Sequence, residues 1–409
     1  MTATSPSPAA TTEPPEFPMP RASGCPFDPP PTLRERQQEG PLGRVRLWDG
    51  STPWLVTRYA EQRALLADPR VSADITRPGY PSSAPVPPQG NSIGFILMDD
   101  PDHARLRRMV TAPFTIRRVE ALRPRVQRIV DELVDALLSG PRPVDLVTAF
   151  ALPVPSLVIC ELLGVPYADH DFFQENSKTI INRDVTQEQR LAAHGRLAEY
   201  LDRLVAEKAR EPREDLLSRL AERVLAGELT RREAAQMGVL LLIAGHETTA
   251  NMIALGTLAL LQHPEQLAEL RETDDPGLVA GAVEELLRYL HITHSGRRRV
   301  ALADIEIAGR TIRAGEGLIL ANDIANRDPS AFPEHPDRLD IHRDARHHVA
   351  FGFGVHQCLG QPLARMELQV VYGTLYRRVP TLRLAADPHE IPFKHDGSVY
   401  GVYELPVTW

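Results

Sequence analysis

Cysteine is scarce in this chain, with three in 409 residues, at positions 25, 160 and 358. An odd number at such wide spacing supports no disulfide framework and fits a reducing, cytoplasmic compartment. Positive charge is also in deficit, 46 Lys and Arg against 54 Asp and Glu, so no wholesale nucleic-acid binding is expected. The chain does not open on a charged segment followed by an apolar core, the pattern of a secretory signal. A clean bilayer-spanning run is missing as well. The longest apolar stretch, Met237 to Leu261, is broken by His246, Glu247, Thr248, Thr249 and Asn251. An ionisable pair at the centre of a span is costly, whereas a buried helix carrying a site accommodates it. The expectation is a soluble protein with no membrane segment. Its 43% hydrophobic residues suffice for a large core.

Residues 1–31 are rich in Pro, Ala, Ser and Thr and read as a disordered tail, with Cys25 an incidental thiol. Residues 32–409 read as one interleaved, mainly α domain with a minor β part drawn from both ends of the chain. Asp49-Gly50 between two apolar runs, 45–48 and 54–57, predicts a hairpin, and a short helix follows over 59–66. Prolines and glycines make 76–89 a long loop of the kind that serves as a lid or binding wall. Helical periodicity then covers 103–114, 117–138, 156–163, 170–181, 188–209, 216–226, 231–262, 264–272 and 278–289. A second hairpin (305–307 with 311–312), a strand at 317–320, a last helix over 363–378 and short strands within 399–409 complete the expectation.

The stretch Phe351-Gly-Phe-Gly-Val-His-Gln-Cys-Leu-Gly360 is the most informative in the chain. Glycines at 352, 354 and 360 allow tight turns and the close approach of something flat. Pro362 suits a first helical turn, which places Cys358 at a helix N-terminus, where a thiolate is favoured and the pKa is expected to fall. Such a sulfur is a soft metal ligand or a nucleophile. His347, His348, His356 and Cys358 form a poor zinc set, lacking the paired short spacings of structural sites. Covalent c-type haem needs Cys-x-x-Cys-His, which is absent.

Upstream, Ala244-Gly-His-Glu-Thr-Thr249 puts an acid and a hydroxyl side by side within an apolar helix, where burial is costly without a purpose. Proton delivery is such a purpose. Glu285 and Arg288 are spaced for an ion pair, and His103 and Arg107 share one helical face as donors for a cofactor's carboxylates.

In this order, Ala-Gly-x-Glu-Thr-Thr, Glu-x-x-Arg and Phe-x-x-Gly-x-His-x-Cys-x-Gly make the chain resemble the cytochrome P-450 superfamily of haem-thiolate monooxygenases. Phe150-Ala-Leu-Pro-Val-Pro-Ser, Leu162-Leu-Gly-Val-Pro-Tyr and Ile324-Ala-Asn-Arg-Asp are similar to soluble actinobacterial members, among them hydroxylases of vitamin D, sulfonylureas, macrolides and statins. The resemblance implies a single large helical domain with a long central helix over the haem and small β-sheets. It implies haem b with Cys358 as the iron ligand, Phe351 shielding the sulfur, and Gly360 and Ala244 against the cofactor. His103, Arg107, Arg299 and His356 would hold the propionates, with Arg299 chosen among the arginines 297–299 for its spacing to Asp304. Glu247 and Thr248 would be the catalytic acid–alcohol pair. Glu285, Arg288 and a later arginine, taken as Arg338, would be structural. Electrons would come from NAD(P)H through a ferredoxin reductase and ferredoxin, docking on a face formed by Arg105, Arg108, Arg343, Arg346 and Arg365. The protein would act as a monomer that hydroxylates or epoxidises a bulky apolar substrate. Its walls would be 76–98, 172–194, 240–245, 291–295 and the turn near 399–400. Peroxygenase or isomerase chemistry, or a non-catalytic haem sensor or carrier, is the alternative; the intact acid–alcohol pair argues against the former.

Overall fold

The computed structural model describes residues 13–22, 24, 26–83, 85, 94–182, 184–293 and 295–409. Cys25 and most of the 84–93 stretch, expected as part of the substrate-facing loop, lie outside the described residues.

Helices dominate. Pro31–Glu39 (α1), Tyr59–Ala67 (α2), Asp102–Thr111 (α3), Ile116–Ser139 (α4), Pro153–Leu163 (α5) and His170–Ile181 (α6) lead into Gln187–Arg210 (α7) and Leu216–Leu225 (α8). The central Arg231–Leu261 (α9) follows, then Pro264–Glu272 (α10), Pro276–Tyr289 (α11), the single turn Asn322–Ala325 (α12) and Gln361–Arg378 (α13). Capping chemistry sets several of the starts. Thr230 accepts from the Glu233 amide while the Glu233 carboxylate accepts from the Thr230 N–H, and Thr186 and Gln189 do the same for α7. Gly164, at φ 78°, ends α5 with its amide on the Cys160 carbonyl.

Helix α9 is apolar on nearly every side because α5, α7, α8, α10 and α13 all pack around it. By length and composition it is the one described helix able to cross a membrane, yet 78% of its most apolar window is buried inside the fold. It is core. Close helix approach is bought with glycine: a Cβ at Gly256 would lie 1.9 Å from the Tyr372 hydroxyl of α13, which donates to the Met252 carbonyl.

The main sheet runs in the order β1 (Leu42–Arg44), β2 (Trp54–Val56), β8 (Gly317–Leu320), β5 (Arg297–Ala301), β3 (Val71–Ser72), with only β2 and β8 parallel. A smaller sheet joins β4 (Val144–Asp145), β10 (Pro406–Thr408) and β9 (Arg383–Leu384), and β6 (Ile305–Ile307) with β7 (Arg310–Ile312) forms the second hairpin as expected. The first hairpin pairs at 42–44 with 54–56 and continues through the expected arm, the Val45 amide donating to the Pro53 carbonyl and the Leu47 amide to the Ser51 carbonyl, with Asp49 and Gly50 at its turn.

One expectation is overturned. The tail to residue 31 is not a loose appendage from Glu13 onward. The Phe17 amide donates to the Arg46 carbonyl and the Arg46 amide to the Pro15 carbonyl, which adds a parallel bridge at Glu16 to the sheet edge. Phe17 and Met19 are buried against Leu33, Leu55 and Ile319, and Phe27 joins the main core. Composition suggested disorder because prolines are abundant, but four apolar side chains at 17, 19, 27 and 33 are enough to dock the arm.

Candidate active site

The cysteine loop runs from Phe351 to the start of α13. Gly352 and Gly354 both take φ 73°, and a Cβ at Gly354 would meet the Leu66 carbonyl oxygen at 2.3 Å. Gly360 sits at φ -79°, so it is not there for a left-handed turn; a Cβ would lie 4.0 Å from the Cys358 sulfur. The Cys358 amide donates to the Phe351 carbonyl at 2.8 Å, which closes the loop on itself. Phe351 carries the Arg365 guanidinium 4.6 Å above its ring, and Arg365 is held by both oxygens of Glu284. The aromatic is therefore fixed beside the loop.

Cys358 is surface-accessible and yet deep within the protein mass, so it lines an interior hollow. The expected fall in its pKa is corrected by the structure. Burial pushes the thiol up, against the Gly360 and Gln361 amides and the Arg297 and Arg107 charges, which pull it down. Helix-end donors do not by themselves make this thiolate. Direct bonding to a metal cation would, since coordination deprotonates a thiol outright.

Around it stand three arginines, 107, 297 and 299, and two histidines whose pKa values burial lowers. His103 and His356 lie ring to ring, centroids 4.1 Å apart. Burial, Arg299, His103 and Arg107 depress the His356 pKa to about 3. His103 is buried, with Nδ1 3.1 Å from Asp100 and Nε2 without a protein partner. Arg107 donates to the Gln357 carbonyl at 2.6 Å. Strand alternation sorts the arginine triplet: Arg298 donates to Pro81 on one side, while Arg297 and Arg299 face the opposite way. Arg297 donates to the Ala350 carbonyl, its Nε has no protein partner, and burial lowers its pKa to about 10. Arg297 is thus a site residue that the spacing argument passed over; period-two alternation would have found it beside Arg299. A soft sulfur, the orphaned Arg297 Nε–H, an imidazole nitrogen of His103 with no protein partner and arginines short of carboxylates fit an iron macrocycle bearing acidic side chains.

On α9, the Thr248 hydroxyl donates to the Ala244 carbonyl at 2.8 Å, and Ala244 itself is exposed to the hollow. The helix stays continuous through this stretch, and Gly245 serves packing: a Cβ there would lie 2.7 Å from Ile159. Glu247 is buried, with Asn251 Nδ2 3.3 Å, Lys394 Nζ 3.7 Å and His246 Nε2 3.9 Å from its carboxylate. Asn251 was legible as an i, i+4 neighbour. Lys394 was not, because it arrives from a carboxy-terminal turn with no local signal.

The Glu285–Arg288 pair is wholly buried, with two bonds of 2.7 Å, and it is completed by Arg343 at 3.3 Å. Arg338 contributes only its carbonyl, to Arg288, so its expected role passes to Arg343. The proposed docking arginines also separate. Arg343, Arg105 and Arg365 are engaged with Glu285, Glu233 and Glu284, while Arg108 and Arg346 remain exposed. No group of three or more His, Cys, Asp or Glu poised for a metal occurs among the described residues.

The expected substrate walls meet pairwise. Leu240 of α9 lies against Gly94, the Ser398 amide donates to the Ile181 carbonyl, and the Tyr400 amide donates to the Ile292 carbonyl at 2.7 Å.

A family model described as Cytochrome P450 matches residues 43–275 and 277–384. "Cytochrome P450 GfsF" of Streptomyces halstedii is 58% identical over 97% of this chain and 96% of its own length. The "Vitamin D3 dihydroxylase" of Streptomyces griseolus is 49% identical over 100% and 99%. The crystal structure of the mycinamicin VIII C21 methyl hydroxylase from Micromonospora griseorubida superposes with a TM-score of 0.89 at 47% identity, covering 97% of this chain and 100% of that one. The chain belongs to the cytochrome P450 family. It is an enzyme of the monooxygenase class, and family membership implies a haem cofactor.

Proposed function

We propose that this protein hydroxylates or epoxidises a large lipophilic small molecule, of macrolide, polyketide or steroid-like size, using haem b held through Cys358. The observation carrying the cofactor reading is the meeting of one soft sulfur with an under-neutralised cationic cluster. When bound, the haem supplies the one-electron redox chemistry that activates dioxygen and inserts one of its atoms into a C–H or C=C bond. Arg107, Arg299, His103 and His356 hold its acidic groups, with Arg297 added from the structure. Thr248 keeps a hydroxyl at the hollow, oriented by the Ala244 carbonyl. Glu247 holds or releases a proton at its buried carboxylate, and Asn251 and Lys394 fix where that carboxylate points.

Relatives named as a pentalenic acid synthase, a vitamin D3 dihydroxylase and a mycinamicin hydroxylase, and a solved neighbour in complex with filipin I, support a bulky apolar substrate. NAD(P)H would supply electrons through a reductase and ferredoxin to a monomeric cytoplasmic enzyme. The docking face reduces to Arg108 and Arg346, both exposed. Reversing both charges should weaken ferredoxin coupling and its salt dependence; unchanged turnover at every ionic strength would remove this face from the reading. The direct test of function is a substrate-induced spin-state screen over macrolides, polyketides and steroids, followed by NADPH-dependent turnover of each hit with surrogate ferredoxin. A product heavier by one oxygen, with matched oxygen uptake, is expected. Hits bound without oxygen use would favour a carrier.

A further inference from the structure

Arg21 lies in the docked amino-terminal arm, far in sequence from every residue of the site. Its guanidinium is half-buried. Nη1 donates to the Asp28 carbonyl at 2.8 Å and to the Pro26 carbonyl at 3.3 Å, while Nη2 donates to the His291 carbonyl at 3.1 Å. The same group lies 4.1 Å over the ring of Tyr400. One planar fork therefore touches the arm itself, the segment after α11 and the carboxy-terminal turn.

Both partners of that fork lead toward the acid on α9. The Tyr400 amide donates to the Ile292 carbonyl, so the two segments are already tied to each other. The next residue, Gly401, is pressed on α9 so closely that a Cβ would fall 1.7 Å from Asn251 Oδ1, and Asn251 contacts Glu247. Five residues beyond Ile292, the chain enters β5, whose Arg297 and Arg299 belong to the cationic cluster. Burying a guanidinium is expensive, and burial does depress the Arg21 pKa; Tyr400, Asp323 and Asp28 oppose that shift. A sheet edge could be closed by Phe17 and Met19 alone. A half-buried cation aimed at two loop segments is not needed for that.

We propose that Arg21 is a positioning residue: it clasps the 291–292 and 399–401 segments together and sets how they stand over α9, and so tunes which large ligands fit. The proposal rests on the reading of these segments as substrate walls. The arm would then act on specificity while leaving the cysteine loop untouched.

The test uses full-length holoprotein with Arg21→Ala and Arg21→Lys. Amide hydrogen exchange is followed in peptides spanning 289–296, 396–403 and, as a control, 351–361. Binding is read by optical titration with a small azole, 4-phenylimidazole, and a bulky one, ketoconazole. Arg21→Ala should speed exchange in the first two peptides by about tenfold and leave the third unchanged. It should weaken ketoconazole by about tenfold and 4-phenylimidazole by less than about twofold. Arg21→Lys keeps the charge but lacks the planar guanidinium whose two nitrogens reach the Asp28 and His291 carbonyls while its face lies over Tyr400, so it should not restore either value. Unchanged exchange at 289–296 and 396–403 overturns the clasp. Exchange rising everywhere, control peptide included, overturns it too, because Arg21 would then be a general stability residue. Unchanged exchange differs from failure of the substrate-wall reading, in which exchange rises at the walls but ketoconazole affinity stays put.

Discussion

In the proposed reaction Thr248 is the hydroxyl that helps deliver protons to dioxygen. Its hydroxyl is the polar side-chain group that α9 presents beside the exposed Ala244, and it is oriented by a carbonyl rather than by another acid. Thr248→Ala should leave substrate binding near the parent value while diverting most reducing equivalents to hydrogen peroxide, measured as peroxide formed per NADPH consumed. Tightly coupled product formation would contradict its role. The buried ion cluster makes a second prediction at this scale. Glu285→Ala leaves Arg288 uncompensated in the core and should cost about 3–5 kcal/mol in unfolding. Arg343→Ala should cost about 1–3 kcal/mol, and Arg338→Ala, whose side chain is exposed and touches none of the pair, within about 0.5 kcal/mol. Equal losses at 338 and 343 would reinstate the reading drawn from spacing alone.

Among the elements, legibility followed the kind of signal each carries. Helix α9 was legible from end to end because Thr230 and Glu233 announce its start and the apolar run is long. The site acid, alcohol and cysteine were legible as motifs. Strand β5 was not, since it opens on three consecutive charged residues with no apolar alternation to mark a strand, and α1 was not, since it buries only Leu33 and Gln37. Lys394 and Arg343 reach their partners through tertiary packing, for which local sequence holds no cue. Packing between α9 and α13 gives a prediction of its own. Gly256→Ala sets a methyl against the Tyr372 hydroxyl and should cost about 1–3 kcal/mol by overpacking. Adding Tyr372→Phe should recover part of that loss, read as a non-additive double-mutant cycle in thermal or denaturant unfolding. Strict additivity would mean that the two helices do not meet there.

For the whole molecule, burial without full compensation makes stability depend on pH. His246 is wholly buried, its Nδ1 2.8 Å from the Leu242 carbonyl, and burial holds its pKa below the ordinary 6.5. In the window beneath that value the unfolded chain takes up a proton that the folded protein refuses. Stability therefore falls as pH drops through about 6.5 toward the depressed folded value. His246→Phe should flatten this part of the stability–pH curve; an unchanged slope would assign the dependence to other groups. Around the cysteine loop, α2 lies against Gly354, Arg107 of α3 reaches the Gln357 carbonyl and Arg297 of β5 reaches the Ala350 carbonyl, so Cys358 sits deep in the fold while keeping exposed surface. That enclosure is what a haem thiolate requires. The measurement closest to this claim is the absorption spectrum of the reduced, CO-bound holoprotein. A thiolate from Cys358 predicts a strongly red-shifted Soret band, lost in Cys358→His even where haem is retained. A band at the ordinary histidine-ligated position in the parent protein would contradict the account.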